Sequence, residues 1–198
     1  MAVIRLANPN ADSEQLAAIY YPYVINTAVT FDTKPVEGHS FHDKITKSMS
    51  VYPWLVCEHE REIMGYTHGA QFRDKDAFKW TVETTIYVKA AAHGLGIGKS
   101  LYKTLMNCLK LQNFGLCIGV ITLPNQSSEN LHESLGFTKG AVIRKAGYKL
   151  GKWHDVGIWT ADISDHRNNP TSPIILPEIR GNKSYLEQIG KYSNSIRI

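Results

Sequence analysis

The chain has 198 residues, 43% of them hydrophobic and 20% charged, and a formal net charge of +4. That is one domain's length with room for an extension, and enough apolar content for a core. No apolar run approaches the ~20 residues of a membrane span, no basic segment leads into an apolar one at the N-terminus, and the basic residues do not gather into the stripe of a nucleic-acid binder. The three cysteines, Cys57, Cys108 and Cys117, have no CxxC spacing. They argue against a disulfide framework or a zinc ribbon and fit a reducing, cytoplasmic compartment.

Val3–Leu6 reads as a short strand. Asp12 is expected to open a helix, with Gln15 completing a capping box. Leu16, Ile19, Tyr20, Tyr23 and Val24 recur at helical spacing, and Pro22 is expected to kink or shorten that helix. Residues 28–50 are mixed, with Phe31 and Pro35 in a loop and a weak helix after Phe41. Trp54–Glu58 and Ile63–Gly69 predict an antiparallel hairpin joined by the charged turn His59-Glu60-Arg61-Glu62. From Trp80 to Val88 the residues alternate: Val82, Thr84, Ile86 and Val88 on one face, Glu83, Thr85 and Tyr87 on the other.

A glycine-rich segment, Gly94-Leu95-Gly96-Ile97-Gly98, follows. A helix then runs to about Asn113, with Ile97, Leu101, Leu105 and Leu109 in one stripe. Leu116–Thr122 predicts a buried strand, and Ser127–Leu135 a short helix stopped by Gly136. Strands near Ala141–Lys149 and His154–Asp162 close the domain. Residues 164–177 resemble a linker, and Tyr185–Tyr192 predicts one more short helix. This extension, 164–198, either wraps the domain or a partner subunit, or is a loose tail. His39 and His42 are three apart without further ligands nearby, so no metal site is expected.

Glycines between a strand and a helix let the backbone turn tightly and aim several N–H groups at one point, and the helix N-terminus adds positive potential. That is an anion site suited to a pyrophosphate. The Rossmann pattern would need Gly where Lys99 stands, and the Walker A pattern would need Gly where His93 stands. The pattern [RQ]-x-x-G-x-[GA] fits at Gly96 and Gly98 with His93 in the Arg/Gln place. A phosphate loop is further disfavoured because Leu116–Thr122 ends in Leu123-Pro124-Asn125 without an acidic magnesium ligand.

His93–Gly98 resembles motif A of the GNAT superfamily of N-acetyltransferases, and Asn125–Phe137 resembles its motif B. Thr30–Pro35, Trp80–Val88 and Gly147–Gly157 are similar to the branch acting on phosphinothricin, methionine sulfoximine and related amino acids. The resemblance covers roughly residues 3–163. It implies an α/β (α+β) fold with a mixed, mostly antiparallel sheet flanked by helices, two strands splaying around acetyl-CoA. It also implies direct acetyl transfer to the α-amine of a small amino acid, and a homodimer.

By the same resemblance Glu83 is the general base and His132 a catalytic group or a substrate contact. Acetyl-CoA would be held by Ile86, Tyr87, Val88, His93, Gly94, Leu95, Gly96, Ile97, Gly98, Lys99, Asn125 and Ser134. The amino acid would be held by Phe31, Arg73, Lys75, Phe78, Thr85 and Tyr87. Trp153, His154 and Asp155 read as structural or dimer-related. Because His93 replaces Arg or Gln, weaker and more pH-sensitive coenzyme binding is expected. Other open readings are a CoA-binding sensor without turnover, a phosphate-loop hydrolase, and an acetyltransferase for broader amino acids or protein N-termini.

Overall fold

The computed structural model describes residues 1–165 and 168–198. Its centre is a seven-stranded sheet in the order β1-β2-β3-β4-β5-β7-β6. The strands are β1 (Val3–Leu6), β2 (Trp54–His59), β3 (Glu62–Gln71), β4 (Thr81–Val88), β5 (Leu116–Leu123), β6 (Thr138–Lys149) and β7 (Lys152–Asp162). Every neighbouring pair is antiparallel except β4 and β5. The β2–β3 hairpin turns through Glu60 and Arg61, both in the left-handed region with φ of 49° and 68°. Such a turn matches the strand twist, although it carries neither the Asn nor the Gly that usually signals it.

Helices cover both faces. On one side α1 (Pro9–Asn26) and α2 (Gly38–Met49) pack Leu16, Tyr20, Phe41 and Ile45 against Trp54, Val56 and Tyr66. On the other side α3 (Ile97–Leu111) lays Leu101, Leu105 and Leu109 on Val82, Cys117 and Trp159. Burying such side chains from water is worth roughly 1.5–3 kcal/mol each and drives the assembly.

The first helix departs from expectation. It begins at Pro9, and its cap is Asn8, whose side chain accepts from the Asn10 N–H at 3.0 Å. Asp12 is buried instead, accepting from the Asn8 N–H at 2.7 Å and pairing with Arg5 at 2.7 Å. A buried carboxylate needs a cation more than a helix start needs that oxygen. Gln15 likewise bridges to the hairpin, accepting from the Ile63 N–H at 2.8 Å. Pro22 does not shorten the helix, which runs four residues further to Asn26.

The extension packs on its own domain. Two helices, α5 (Leu176–Ile179) and α6 (Lys183–Gly190), bury Leu176, Tyr185 and Ile189 in the α3-side core. Buried Gln112 at the end of α3 donates to the Val51 and Ile174 carbonyls, both at 2.8 Å. The Trp80 indole donates to Thr171 O at 2.8 Å. Asn107 donates to the Tyr192 hydroxyl at 3.1 Å, and Ser193 Oγ accepts from the Ile4 N–H at 3.1 Å.

Candidate functional site

β4 and β5 pair only through Thr81–Leu116, Val82–Cys117 and Glu83–Ile118. Beyond Glu83 they separate, although β4 continues to Val88 and β5 to Leu123. The edge of β4 that faces β5 there has no strand partner; Val88 O accepts from the Tyr23 hydroxyl instead, and the edge N–H groups have no ladder bond across the splay. Two cavities share this opening.

The larger cavity, of about 520 Å³, lies at the C-terminal end of β4. Ile86, Tyr87, Val88, His93, Gly94, Gly96, Ile97, Gly98, Lys99 and Asn125 line it, so ten of the twelve residues expected around acetyl-CoA come together. Gly94 and Gly96 have φ of 79° and 86°, a region in which a side chain costs energy. A Cβ on Gly94 would meet nothing within 4 Å, leaving the loop surface open. Gly96 stands at the cap position just before α3 and has no side chain to bond the first helical N–H groups. The first N–H groups of that helix therefore face the cavity without helical partners. The helix α4 (Gln126–Glu133) borders the other side, its Asn125 cap accepting from the Ser128 N–H at 3.2 Å.

Two expected residues do not join them. Ser134 is exposed at the far end of α4, where its hydroxyl donates to Leu131 O at 2.9 Å. Leu95 points elsewhere and gives its carbonyl to the Arg197 N–H at 3.0 Å. His93 is turned back toward β4, with Nε2 3.1 Å from both Val88 O and the Tyr23 hydroxyl. A carbonyl can only accept, so His93 Nε2 donates to it.

The smaller cavity, of about 260 Å³, continues past the splay. Glu83, Thr85, Tyr87, Phe31 and His132 line it, and it shares Val29, Ile86, Tyr87, Asn125 and Ser128 with the larger one. Burial pushes the Glu83 carboxyl above its ordinary range, and the positive charge of Arg73 pulls partly against that. Tyr87 is locked among Tyr20, Tyr23 and Tyr66, with ring centroids 4.9–5.6 Å apart. Burial first, with the nearby Asp32 charge adding to it, holds its phenol up at about 12, so it stays protonated. Phe31 is held on Gly147, where a Cβ would come within 2.3 Å of its ring.

Arg73, Lys75 and Phe78 do not line this cavity. A tight turn, with the Lys75 N–H 3.0 Å from Arg73 O, sends Lys75 to a separate depression beside Asp74, Lys79 and Phe114. Phe78 is exposed and packs edge-on to Phe72 at 5.6 Å. Arg73 stands over Phe72 at 5.3 Å, and its charge still reaches Glu83.

His132 is only 3% exposed. Its Nδ1 lies 2.7 Å from Ser128 O and its Nε2 2.9 Å from the Tyr102 hydroxyl. Nδ1 must donate to the carbonyl, which leaves Nε2 to accept from Tyr102. Burial pushes this histidine's pKa down, favouring that neutral form. Sequence reasoning did not find Tyr102, Thr84, Ser128 or Arg197 at the site. The first two carry ordinary core signals, and Arg197 lies about a hundred residues from the loop it reaches.

A family profile described as an acetyltransferase (GNAT) domain matches residues 4–158. A phosphinothricin N-acetyltransferase from Streptomyces viridochromogenes is 38% identical over 153 residues, covering 77% of this chain and 84% of the relative. An L-methionine sulfoximine/L-methionine sulfone acetyltransferase from Salmonella typhimurium is 30% identical, covering 82% and 95%. Among solved structures, a GNAT superfamily phosphinothricin acetyltransferase from Sinorhizobium meliloti, in complex with AcCoA, superposes with a TM-score of 0.83. It has 29% identity and covers 90% of this chain and 97% of that one. The chain belongs to the GNAT family of acetyltransferases.

Proposed function

We propose that the protein transfers the acetyl group of acetyl-CoA directly to the α-amine of phosphinothricin, methionine sulfoximine or a related amino acid, with Glu83 as general base. The observation that carries this reading is the continuous opening at the β4–β5 splay. The glycine loop forms one end and a half-buried carboxylate of raised pKa stands at the other.

The larger cavity fits acetyl-CoA. Its open glycine backbone and the α3 N-terminus suit a pyrophosphate, and apolar Ile86, Val88 and Leu131 suit an extended pantetheine arm. Acetyl-CoA supplies an acetyl group activated as a thioester. Glu83 takes a proton from the ammonium of the amino acid, through a water or directly, freeing the nitrogen lone pair to form the C–N bond as the C–S bond breaks; the second proton shed by the acylated nitrogen goes to the departing thiolate, giving free CoA thiol and the amide. Its raised pKa brings it closer to the working pH, where a base is most effective. Backbone N–H groups of Ile86 to Val88 donate to the carbonyl oxygen as charge develops on it. Phe31, Thr85 and Tyr87 wall the amino-acid end, and Arg73 supplies long-range positive charge toward its acidic group.

Direct transfer is supported by the cysteines. Cys57, Cys108 and Cys117 are buried, burial raises their thiols to about 11, 12 and 12, and none lines either cavity. The same unpaired thiols support a reducing, cytoplasmic setting. Both nitrogens of His132 have protein partners, which supports a positioning part for it rather than protonation of the leaving sulfur. A homodimer is supported by the edge strand β6, exposed along most of its length. Tyr148 and Trp153 pack ring to ring there while each is 59% exposed.

The test is purified protein with acetyl-CoA and a panel of amino acids, with thiol release as the readout. Turnover with phosphinothricin or methionine sulfoximine is expected. Acetyl-CoA binding without transfer to any amino acid would refute the proposed reaction.

A further inference from the structure

The larger cavity has a wall built from residues outside 4–158, the part of the chain that the family profile matches. Residues 193–198 cross back over the glycine loop after α6. Ser195 O comes so close that a Cβ on Gly96 would sit 3.1 Å from it. The Arg197 N–H donates to Leu95 O at 3.0 Å, and its Nη2 donates to Gly94 O at 2.8 Å. Arg197 thereby lines the cavity beside Gly94, Gly96 and Lys99.

The guanidinium is exposed, and no carboxylate pairs with it among the described residues. An arginine has five N–H donors in a fixed fork that matches a phosphate. One is given to Gly94 O, so the others are available. At the first position of the loop beneath, His93 turns its Nε2 back to Val88 O and so does not reach out to a phosphate through that nitrogen.

We propose that Arg197 is a coenzyme-binding residue that grips the pyrophosphate of acetyl-CoA from the C-terminal segment, making the contact from which His93 Nε2 is turned away. This rests on acetyl-CoA occupying the larger cavity. The segment is held to its own domain by Ile4 and Asn107, so the arginine is delivered by packing. It acts on binding and takes no part in bond making.

The test compares wild type with R197Q and R197K by calorimetry with acetyl-CoA, and by turnover with acetyl-CoA and with S-acetylpantetheine, which has no pyrophosphate. R197Q keeps a donor for Gly94 O but loses the charge. Its Kd for acetyl-CoA is expected to rise about tenfold and to depend less steeply on salt, as follows when one ionic phosphate contact is lost (compare the counterion argument for nucleic acids). R197K recovers part of the loss. The decrease in kcat/KM with acetyl-CoA should exceed that with S-acetylpantetheine by about the same tenfold. The loss should persist with acetyl-dephospho-CoA, which retains the pyrophosphate and lacks the 3′-phosphate. Wild-type affinity in R197Q, an equal loss with both donors, or a loss confined to the 3′-phosphorylated coenzyme overturns the assignment. A wild-type protein that fails to bind acetyl-CoA overturns the function itself and this assignment with it.

Discussion

The Tyr102 hydroxyl on α3 donates to His132 Nε2 on α4 across 2.9 Å, in a region closed to solvent. The same hydroxyl lies 2.6 Å from Thr84 Oγ1 on β4. One chain of bonds therefore ties the coenzyme-side helix, the splayed strand and the helix after β5. With His132 neutral, the form burial favours, Nε2 accepts from Tyr102, whose oxygen in turn accepts from the Thr84 hydroxyl.

Tyr102→Phe leaves His132 Nε2 and Thr84 without that partner inside the core. A buried polar group left unpaired costs about 1–3 kcal/mol. The urea midpoint should fall accordingly with an unchanged m-value, and kcat should fall more than the acetyl-CoA KM rises. An unchanged midpoint would show that the chain of bonds contributes nothing to stability.

Glu83→Gln removes the proposed base while keeping its shape. A positioned base contributes about 10²–10⁴ in rate, so kcat should drop by at least ~100-fold, with a much smaller effect on acetyl-CoA affinity. Full turnover in this variant would exclude Glu83 as base.

The raised Glu83 pKa also has a sign for stability. Below the unfolded value of ~4.3 the side chain is protonated in both states and carries no penalty. As pH rises through its higher folded value, the carboxylate must ionise in a partly dry wall, and the native state loses stability. Glu83→Gln should therefore match wild type in acid and become the more stable protein as pH rises, as melting curves across pH would record. In Arg73→Ala the opposing positive charge is gone, so the acid limb of kcat/KM should move to higher pH. A shift to lower pH would contradict the electrostatic assignment.

Gly147→Ala places a methyl 2.3 Å from the Phe31 ring. The ring is 37% exposed and can swing away, so the fold should persist while the smaller cavity, the proposed amino-acid end, changes shape. The KM for the amino acid should rise several-fold with the acetyl-CoA KM nearly unchanged. Equal changes in both would show that Phe31 does not belong to the amino-acid end.

Tyr185→Ala removes a fully buried ring between the extension and α3. Comparable aromatic truncations cost about 3–5 kcal/mol. A single unfolding transition shifted by that amount is expected. A separate early transition, with the rest of the domain unchanged, would show that residues 164–198 fold independently.

Much of this molecule is written in local pattern. The alternation in β4, the glycine loop and the Asn125–Phe137 block are short-range signals, because strand faces, left-handed turns and helix caps are set by neighbours in sequence. They, with the family resemblance they carry, single out Glu83, the glycines and Asn125 as candidates. The start of α1 departs from that pattern because Asn8 and Asp12 are both good caps, and Arg5 on the adjacent strand claims Asp12.

What residue order determined by itself was the succession of helices and strands and the chemistry of the loop between β4 and α3. Only the tertiary structure decided that Lys75 and Phe78 leave the smaller cavity, that both nitrogens of His132 have partners, and that Arg197 comes to Gly94. Each of these depends on contacts between residues far apart in the chain. The burial, charge pairing and close packing that select such contacts act through space and leave no spacing in the sequence to read.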